Sequence, residues 1–487
     1  MLFYNEFIKH YICSALNKII NVNQRNFDHL RQTAKISLAF LALLLIVSIV
    51  LYKLRMYFLD APFIVFQIIK DDSPAIMVGR YGSIITQIFP WIGQRLGLPM
   101  SAILVLYSMS FNLFYLTTSI ILYKLKAYHW AIILAFYQIG FATDAFFWTN
   151  NEIHQGVCYL SLSAGVWYYA HAEIRSHTWL HRILAAVLLF VAILTHPLII
   201  PVVVFVLGFM FLVKELSIHQ NGDIGLVVFS FVACLVKYFL SKSNWYDGDK
   251  LNQLSGQSLS SWVSFMDKPA AQVFFPELLF NHWSALIVSL LMAIVLIRQK
   301  LYLILVWVLG FSLIYMITIS MIIFDYTRFY AESQWMVIGI FIALPLLYQV
   351  KNVSTSIINR VSIFVFVIWL FNMVGPYKSF SQRYEWQLSI LDKMETKGID
   401  KLILSDVSSQ TIDTLKMSWG LPVESLIISV AEYKKPMTFI VNQPERAKGD
   451  SKVFLSCFEE LPIYKLNQKY FPLDSSTVYN IVKYDSF

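Results

Sequence analysis

The chain has 487 residues, of which 57% are hydrophobic and only 14% are charged. Soluble domains of average composition carry about 25% charged residues, so this chain has too few charges to cover a water-exposed surface. The composition excludes a soluble globular protein, a disordered chain and a disulfide scaffold, and it predicts a polytopic membrane protein. Membrane topology accounts for the net charge of +8, so no nucleic-acid partner is expected.

Apolar runs that cross or nearly cross a bilayer recur along the chain after a polar N-terminal segment, residues 1–35. Lipid offers no partners for an open sheet edge, so each run is expected to be a helix within a transmembrane domain over 36–377. About eleven transmembrane helices are predicted, at 36–52, 100–123, 129–145, 155–172, 179–195, 198–213, 224–241, 282–297, 301–323, 335–350 and 361–376.

Eleven crossings place the two termini on opposite faces, and the distribution of basic residues gives the direction. With the N-terminus inside, the segments on the cytoplasmic face hold 14 Lys and Arg against 5 Asp and Glu, counting Arg182 near the inner end of its helix. The segments on the outer face hold 10 basic and 11 acidic residues, counting Lys237 and Asp144 at the outer ends of their helices. We therefore expect 1–35 to be a cytoplasmic amphipathic segment, and the long loops 53–99 and 242–281 to lie outside.

The first outer loop contains three acidic candidates for catalysis. Asp60 lies eight residues beyond the first predicted helix, and Asp71 and Asp72 follow in the same loop. A carboxylate close to the membrane can deprotonate a hydroxyl acceptor. Arg80 is a candidate for phosphate binding, because a guanidinium binds phosphate through its planar fork. The alternative is a solvated loop in which Asp71 and Asp72 form a turn or cap a helix.

The same loop contains an amphipathic helix candidate at 84–96. Its isoleucines and Trp91 share one side at helical spacing, and Thr86 and Gln87 fall on the other. This pattern is typical of a helix that lies in the membrane interface. Pro90 should bend it.

Two later outer turns also carry ligand candidates. Asp144, Glu152 and His154 surround a short connection that contains Trp148, a combination that suits a carbohydrate or metal site. Its alternative is an interfacial aromatic belt with polar helix caps. His196 joins two apolar helices, where it can bond to a ligand phosphate or to a backbone carbonyl.

A further outer turn places Arg328 between aromatic residues, including Tyr326. Such a cation suits a lipid phosphate whose sugar stacks nearby. The alternative is an Asp325–Arg328 pair that caps the following helix.

The tail, residues 378–487, is polar, with 14 basic and 14 acidic residues. Its patterns predict a small extracytoplasmic α/β domain. Helices are expected at 384–397 and 407–417, and strands at 402–404, 425–430, 437–441, 452–455 and 477–482.

Together these features resemble the polytopic glycosyltransferases of the GT-C fold, which use lipid-linked sugars. The likeness rests on Asp60 after the first helix, the interfacial helix at 84–96, Trp148-Thr-Asn-Asn-Glu152-Ile-His154, Thr195-His196-Pro197 and Tyr326-Thr-Arg328-Phe-Tyr330. It covers essentially the whole chain as architecture, although no single string is diagnostic.

The resemblance implies a polyprenyl-phosphate-linked sugar donor and a glycan, lipid or protein acceptor at the outer face of the membrane. A bacterial inner membrane is expected, because the sequence shows no signal for retention in the endoplasmic reticulum. Asp60 would be the base, and Arg80 and Arg328 would hold the phosphate. Many members carry an Asp-Glu pair in the first loop, whereas Ala61 follows Asp60 here. The Asp71-Asp72 pair is therefore the alternative counterpart. No cofactor is certain, and a divalent metal would help to bind phosphate, although no ligand cluster demands one.

Three other functions compete with this one. An envelope glycan polymerase or ligase would rely on Arg and His in a large late outer loop, whereas 242–281 holds three Lys and no Arg or His. A lipid-linked glycan transporter would show internal repeats or charges at mid-helix, and neither is visible. A non-catalytic assembly factor is the third alternative.

Overall fold

The computed structural model describes residues 29–172, 178–217, 219–323, 326–349, 355–447 and 449–487. Most of the N-terminal segment predicted over 1–35 therefore lies outside the described residues. The described chain is mostly helical, with a small sheet region near its C-terminus.

The helices are α1 (His29–Val50), α2 (Tyr52–Met56), α3 (Asp60–Asp71), α4 (Ile84–Arg95), α5 (Met100–Lys124), α6 (Tyr128–Gly140), α7 (Ile153–Ala172), α8 (Thr178–Thr195), α9 (Ile199–Leu212), α10 (Asn221–Lys242), α11 (Trp245–Ser255), α12 (Leu259–Val263), α13 (Pro269–Phe280), α14 (Trp283–Arg298), α15 (Tyr302–Ile322), α16 (Arg328–Trp335), α17 (Ile338–Gln349), α18 (Thr355–Val374), α19 (Tyr377–Lys397), α20 (Ser409–Thr414) and α21 (Leu421–Glu432). The strands are β1 (Lys401–Ser405), β2 (Thr438–Val441), β3 (Val453–Leu455), β4 (Glu460–Pro462) and β5 (Asn480–Lys483).

The chain has the helices of a multi-pass membrane protein, but the predicted number of eleven crossings is wrong. Among the described residues, six helices are long and apolar enough to cross a membrane, or seven if the bent pair α13 and α14 is one span. Helices lie at all eleven predicted positions. However, α6 has 13 residues and α9 has 14, fewer than the ~20 that a bilayer requires. Nearly every residue of α6 is buried, so its apolar composition reflects protein packing.

The six spans are His29–Val50, Met100–Lys124, Asn221–Lys242, Tyr302–Ile322, Arg328–Tyr348 and Ile358–Lys397. Several expose rows of large apolar side chains, such as Phe231 and Phe239 on α10, which are 65% and 64% exposed. Soluble proteins rarely expose apolar patches of this extent, whereas lipid chains can cover them.

Helix α4 confirms the helix predicted at 84–96, and its burial pattern is the reverse of that in a soluble protein. Thr86 and Gln87 are buried, while Ile92 on the helix is 47% exposed and Leu96, the residue directly after the helix, is 72% exposed. A helix on a water-exposed surface would bury its apolar side instead. The exposed apolar side of α4 fits the expected position in the membrane interface.

The tail contains the expected sheet. Strand β1 pairs in parallel with β2 and β5, and β3 pairs antiparallel with β4. The strand predicted at 425–430 is wrong, because these residues lie in α21. Helix α21 is buried on all sides, so its apolar run lacks the polar face that would reveal helical periodicity. Pro422 in its first turn favours the helix start.

The tail packs directly on the first loop. Phe66 of α3 contacts Phe454 and Phe471 of the tail, with ring centroids 5.6 and 5.5 Å apart. The side chain of Asn467 donates a hydrogen bond to the carbonyl of Ile69 at 3.3 Å. The first loop and the tail therefore lie on the same face of the molecule, and the tail encloses the helix that begins with Asp60.

Candidate active site

Asp60 is the first residue of α3 and accepts a hydrogen bond from Trp148. The distance from Trp148 Nε1 to Asp60 Oδ2 is 2.6 Å. Burial of the carboxylate raises the pKa of Asp60 to about 6; Glu152 also raises it, whereas the Trp148 hydrogen bond and Arg80 lower it. A carboxylate with this pKa is ionised at neutral pH and accepts a proton more readily than a solvated Asp does.

The backbone before Asp60 is strained, and the tail holds it. Leu59 has φ 50° and ψ −109°, a conformation that is costly for a residue with a branched side chain. Its N–H donates to Glu424 Oε1 at 2.8 Å. Glu424 also accepts from Arg383 at 2.6 and 2.8 Å and from Gln387 at 2.6 Å. Because Glu424, Arg383 and Gln387 are almost completely buried, this network fixes where α3 begins.

Arg80 lies between two carboxylates. Its guanidinium donates to Glu152 Oε2 at 2.7 Å and to Asp247 Oδ1 at 2.8 Å. Burial by itself would lower the pKa of Arg80, but the two carboxylates outweigh this effect and raise the pKa above its usual value. Arg80 therefore stays charged, and the ring of Tyr246 lies 5.6 Å from its guanidinium carbon.

The backbone of Gly82, two residues after Arg80, packs closely against the side chain of Thr195, the residue before His196. A Cβ atom at Gly82 would lie 1.8 Å from Thr195 Oγ1, so only glycine allows this contact. His196 is buried, and its Nδ1 accepts the N–H of Leu198 at 3.1 Å. Burial, followed by the charges of Arg80 and Lys237, lowers the pKa of His196 well below its usual range. The neutral ring therefore carries its proton on Nε2, as a hydrogen-bond donor.

Two lysines add positive charge near Arg80. Lys237 of α10 is buried, donates to the carbonyl of Leu194 at 3.2 Å, and lies close enough to interact electrostatically with Arg80 and Asp247. Lys250 of α11 donates to the carbonyl of Ile322 at 3.1 Å.

A cavity of about 220 Å³ opens beside Arg80. Polar groups from Arg80, His196, Asp247 and Lys250 gather around part of its wall, and the remainder is mainly apolar. The apolar lining comes mostly from α9, α11 and the end of α15: Leu198, Ile200, Pro201, Leu251, Leu254, Ile319, Ile322 and Ile323.

Aromatic side chains connect Asp60 to this cavity. Trp148, which binds Asp60, packs against Tyr330 with ring centroids 5.6 Å apart. Tyr330 lines the cavity, and its hydroxyl lies 3.0 Å from that of Tyr246. The rings of Trp148, Tyr330 and Tyr246 thus form a continuous series of contacts between Asp60 and Arg80.

The structure separates Asp71 and Asp72 from Asp60. Both lie at the opposite end of α3, about 17 Å along the helix axis at ~1.5 Å per residue. Asp72 is exposed and pairs with Arg95 at 2.8 Å between Asp72 Oδ2 and the guanidinium. Asp71 is also exposed, 3.7 Å from the Lys70 ammonium. The geometry thus matches the helix-end alternative for this pair.

Arg328 and Asp144 lie in a second cluster of charges. Arg328 donates to Thr143 Oγ1 at 2.6 Å and contacts Glu277 at 3.1 Å. Asp144 pairs with Lys416 of the tail at 2.8 Å. At the centre of this cluster, the fully buried Glu332 accepts hydrogen bonds from the backbone and the hydroxyl of Thr143. These contacts join α16, the turn at Asp144 and the tail.

The other two candidates lie apart from Asp60 and Arg80. The side chain of Tyr326 is exposed and its hydroxyl donates to Gln272 at 3.0 Å. Asp325, the alternative partner of Arg328, lies outside the described residues. His154 is buried, with its Nδ1 2.7 Å from the hydroxyl of Tyr137, and it lines a second, smaller cavity.

Sequence reasoning missed Asp247 and Glu424. Asp247 follows Asn244, whose side chain accepts the N–H groups of Tyr246 and Asp247 at 2.9 and 3.4 Å. An Asn at this position indicates that a helix begins there, because Asn is a preferred N-cap residue. It does not indicate that Asp247 pairs with Arg80. Glu424 had no signal, because it lies immediately before the run 425–430, which resembles a strand.

Within the described ranges, no group of three or more His, Cys, Asp or Glu side chains could hold a metal ion. Glu152 and Asp247 are both paired with Arg80. Comparisons of the chain with protein-family models, with curated proteins and with solved structures each gave no match.

Proposed function

We propose that this chain is an integral membrane glycosyltransferase of the GT-C type. It moves a sugar from a polyprenyl-phosphate-linked donor to an acceptor hydroxyl on a glycan, lipid or protein. One observation carries the proposal: Asp60, a buried carboxylate bonded to Trp148, lies close enough to interact electrostatically with Arg80, which lines a largely apolar cavity. A lipid phosphate that carries a sugar has the same division into an apolar chain and a charged, polar head.

The cavity supplies complementary groups for both parts of such a donor. The apolar wall from α9, α11 and α15 suits the first isoprene units. Arg80 and Lys250 line the cavity, and Lys237 lies close enough to interact electrostatically with Arg80. Guanidinium and ammonium groups are the side chains that bind an anionic phosphate most strongly, so their presence here supports a phosphate ligand.

The reaction requires a base and stabilisation of the leaving group. Asp60 accepts the proton of the acceptor hydroxyl while that oxygen forms a bond to the anomeric carbon. The bond from the anomeric carbon to the phosphate oxygen breaks, and the electron pair leaves with the lipid phosphate. Arg80, which is charged, and the Nε2–H of His196 stabilise the negative charge that develops there.

The proposed location is the outer face of a bacterial inner membrane, with the N-terminus cytoplasmic. The excess of basic residues in the predicted cytoplasmic pieces supports this direction. The contacts between the first loop and the tail support one shared face for Asp60 and the tail. The tail would then meet acceptors in the periplasm.

Filling the cavity tests whether it binds the lipid chain. We expect Ile322→Trp to lower kcat/KM about tenfold or more with a long polyprenyl-phosphate sugar, because the indole occupies space that the chain needs. The measurement is release of the lipid phosphate from a panel of radiolabelled donors by the protein in nanodiscs, with acceptor extract.

Leu309→Trp is the matched control, since Leu309 lies on the same helix and is 55% exposed. It should behave as wild type, and the same sugar on farnesyl phosphate should be less affected by Ile322→Trp. Transport of intact donors across the bilayer without cleavage of the sugar–phosphate bond would overturn the proposal in favour of a transporter. Release from no donor in the panel would also contradict it.

The pH dependence of transfer reports on the base. Asp60 must be ionised to accept a proton, and its pKa is about 6. We therefore expect kcat/KM to be constant above about pH 7, to reach half its maximum near pH 6 and to fall about tenfold for each further pH unit. The measurement is the pH profile of transfer, with unfolding temperatures recorded at each pH. A profile that stays flat down to pH 4.5 would exclude Asp60 as the base.

A further inference from the structure

A second, smaller cavity lies between α2, α5, α6 and α7, apart from the candidate active site. Its volume is about 20 Å³, and its polar lining is Arg55, Asn112, Tyr115, Gln138, Thr149 and His154. All of these side chains are at least nine-tenths buried. Because Arg55 lies five residues before Asp60, the cavity adjoins the segment that leads into the proposed catalytic helix.

Arg55 is a buried cation without a carboxylate partner in the described part of the chain. Only one of its guanidinium nitrogens is bonded, to the carbonyl of Ser108 at 3.4 Å. Its Nε and its other terminal nitrogen have no hydrogen-bond acceptor among the described residues. The ring of Phe146 covers the guanidinium at 4.3 Å, a contact that offsets only part of the cost of burying a charge.

Another unsatisfied group around this cavity is a donor as well. The side-chain nitrogen of Asn112 is buried and has no acceptor in the described residues. No Asp or Glu lines the cavity. Burial therefore lowers the pKa of Arg55 to about 9, with only Tyr115 acting in the opposite direction. The lining of this cavity thus contains one full positive charge and no compensating negative charge.

We propose that this cavity is a structural binding site for one small inorganic anion, of which chloride is the physiological example. The volume accommodates about one water-sized particle, so chloride or bromide fits and phosphate or sulfate does not. An anion there would accept hydrogen bonds from Arg55 and Asn112 and would neutralise the buried charge. It would join α2 to α5, and so support the chain that leads to Asp60.

The test compares chloride with gluconate, which is too large for the cavity, at equal ionic strength. We expect the purified protein in nanodiscs to bind one radiolabelled chloride per chain, in competition with bromide and not with sulfate. Unfolding temperatures should be about 2–5 °C higher in chloride than in gluconate, because the anion binds the folded state.

Asn112→Asp is the decisive variant, since it places a carboxylate beside Arg55. We expect it to fold, to lose chloride binding and to have the same unfolding temperature in both salts. Arg55→Met should also lose the binding, while Arg95→Met, a surface variant, should keep it. Absence of saturable chloride binding to the wild type, or equal unfolding temperatures in the two salts, would show that the cavity holds only water and would overturn the proposal. These readouts need no sugar donor, so they are independent of the proposed activity.

Discussion

Asp60→Asn should reduce sugar transfer by at least about 10²-fold and leave the fold as stable as the wild type or more stable. A general base contributes about 10²–10⁴-fold to such a step. The amide oxygen of Asn can still accept the hydrogen bond from Trp148 Nε1. The raised pKa of Asp60 means that its ionised form destabilises the folded state above about pH 6. The neutral amide removes that penalty.

The measurements are initial rates of transfer and the free energy of unfolding at pH 7.5, both in lipid. Asp71→Asn and Asp72→Asn are matched controls, because both residues lie at the exposed end of the same helix. Each should retain at least half of the wild-type rate, since exposed ion pairs contribute ~1 kcal/mol or less. Full activity of Asp60→Asn together with loss of activity in Asp72→Asn would transfer the role of base to the second acidic position.

Removal of the Glu424 carboxylate should destabilise the protein strongly and also slow transfer. Breaking a buried ion pair by removal of one partner costs about 3–5 kcal/mol, because the other charge stays buried. Glu424→Leu leaves Arg383 without its partner, which lies 2.6 Å away, and leaves the N–H of Leu59 without its acceptor. The strained turn before Asp60 would then relax, and the carboxylate of Asp60 would move from its position against Trp148.

The variant Glu432→Leu is the control for Glu424→Leu. Glu432 also lies on α21 and joins the tail to the residues before Asp60, through Lys53 at 2.9 Å and Tyr57 at 2.8 Å. The Lys53 ion pair is partly exposed, so Glu432→Leu should cost ~1 kcal/mol for that pair, with a further ~1 kcal/mol for the Tyr57 hydrogen bond. The measurement is reversible unfolding in detergent, with the transfer rate at a temperature where both variants are folded. Equal stability losses in the two variants would refute a special role for the Glu424 network.

Local patterns predicted the elements of this fold well. Helices lie at all eleven apolar runs, α4 follows the amphipathic pattern at 84–96, and β1, β2, β3 and β5 lie within or beside predicted strands. These successes share one cause, because hydropathy and periodicity depend on neighbours a few residues apart. The failures share another. Helix α6 is apolar because it is buried in protein, whereas the hydropathy pattern assumes contact with lipid. Helix α21 is also buried, whereas the periodicity pattern assumes a helix with one exposed face.

The candidate site could be predicted only in part. Asp60 and Arg80 were identified from their chemistry and their place in a loop near the membrane. Nothing local distinguished Asp60 from Asp72, and only the packing of α3 under the tail shows that one is enclosed and the other exposed. Arg328, a strong candidate from its aromatic neighbours, lies instead among Thr143, Glu277 and Glu332.

The sequence by itself determined the class of this protein, a helical membrane protein with a small polar tail, because composition and hydropathy are sums over the chain. Tertiary structure alone decided which charges meet. Arg80 pairs with Asp247, 167 positions away, and Glu424 reaches Leu59 across 365 positions. Such pairs form because a buried charge or N–H group must find a partner wherever packing places one. No local pattern encodes that partner.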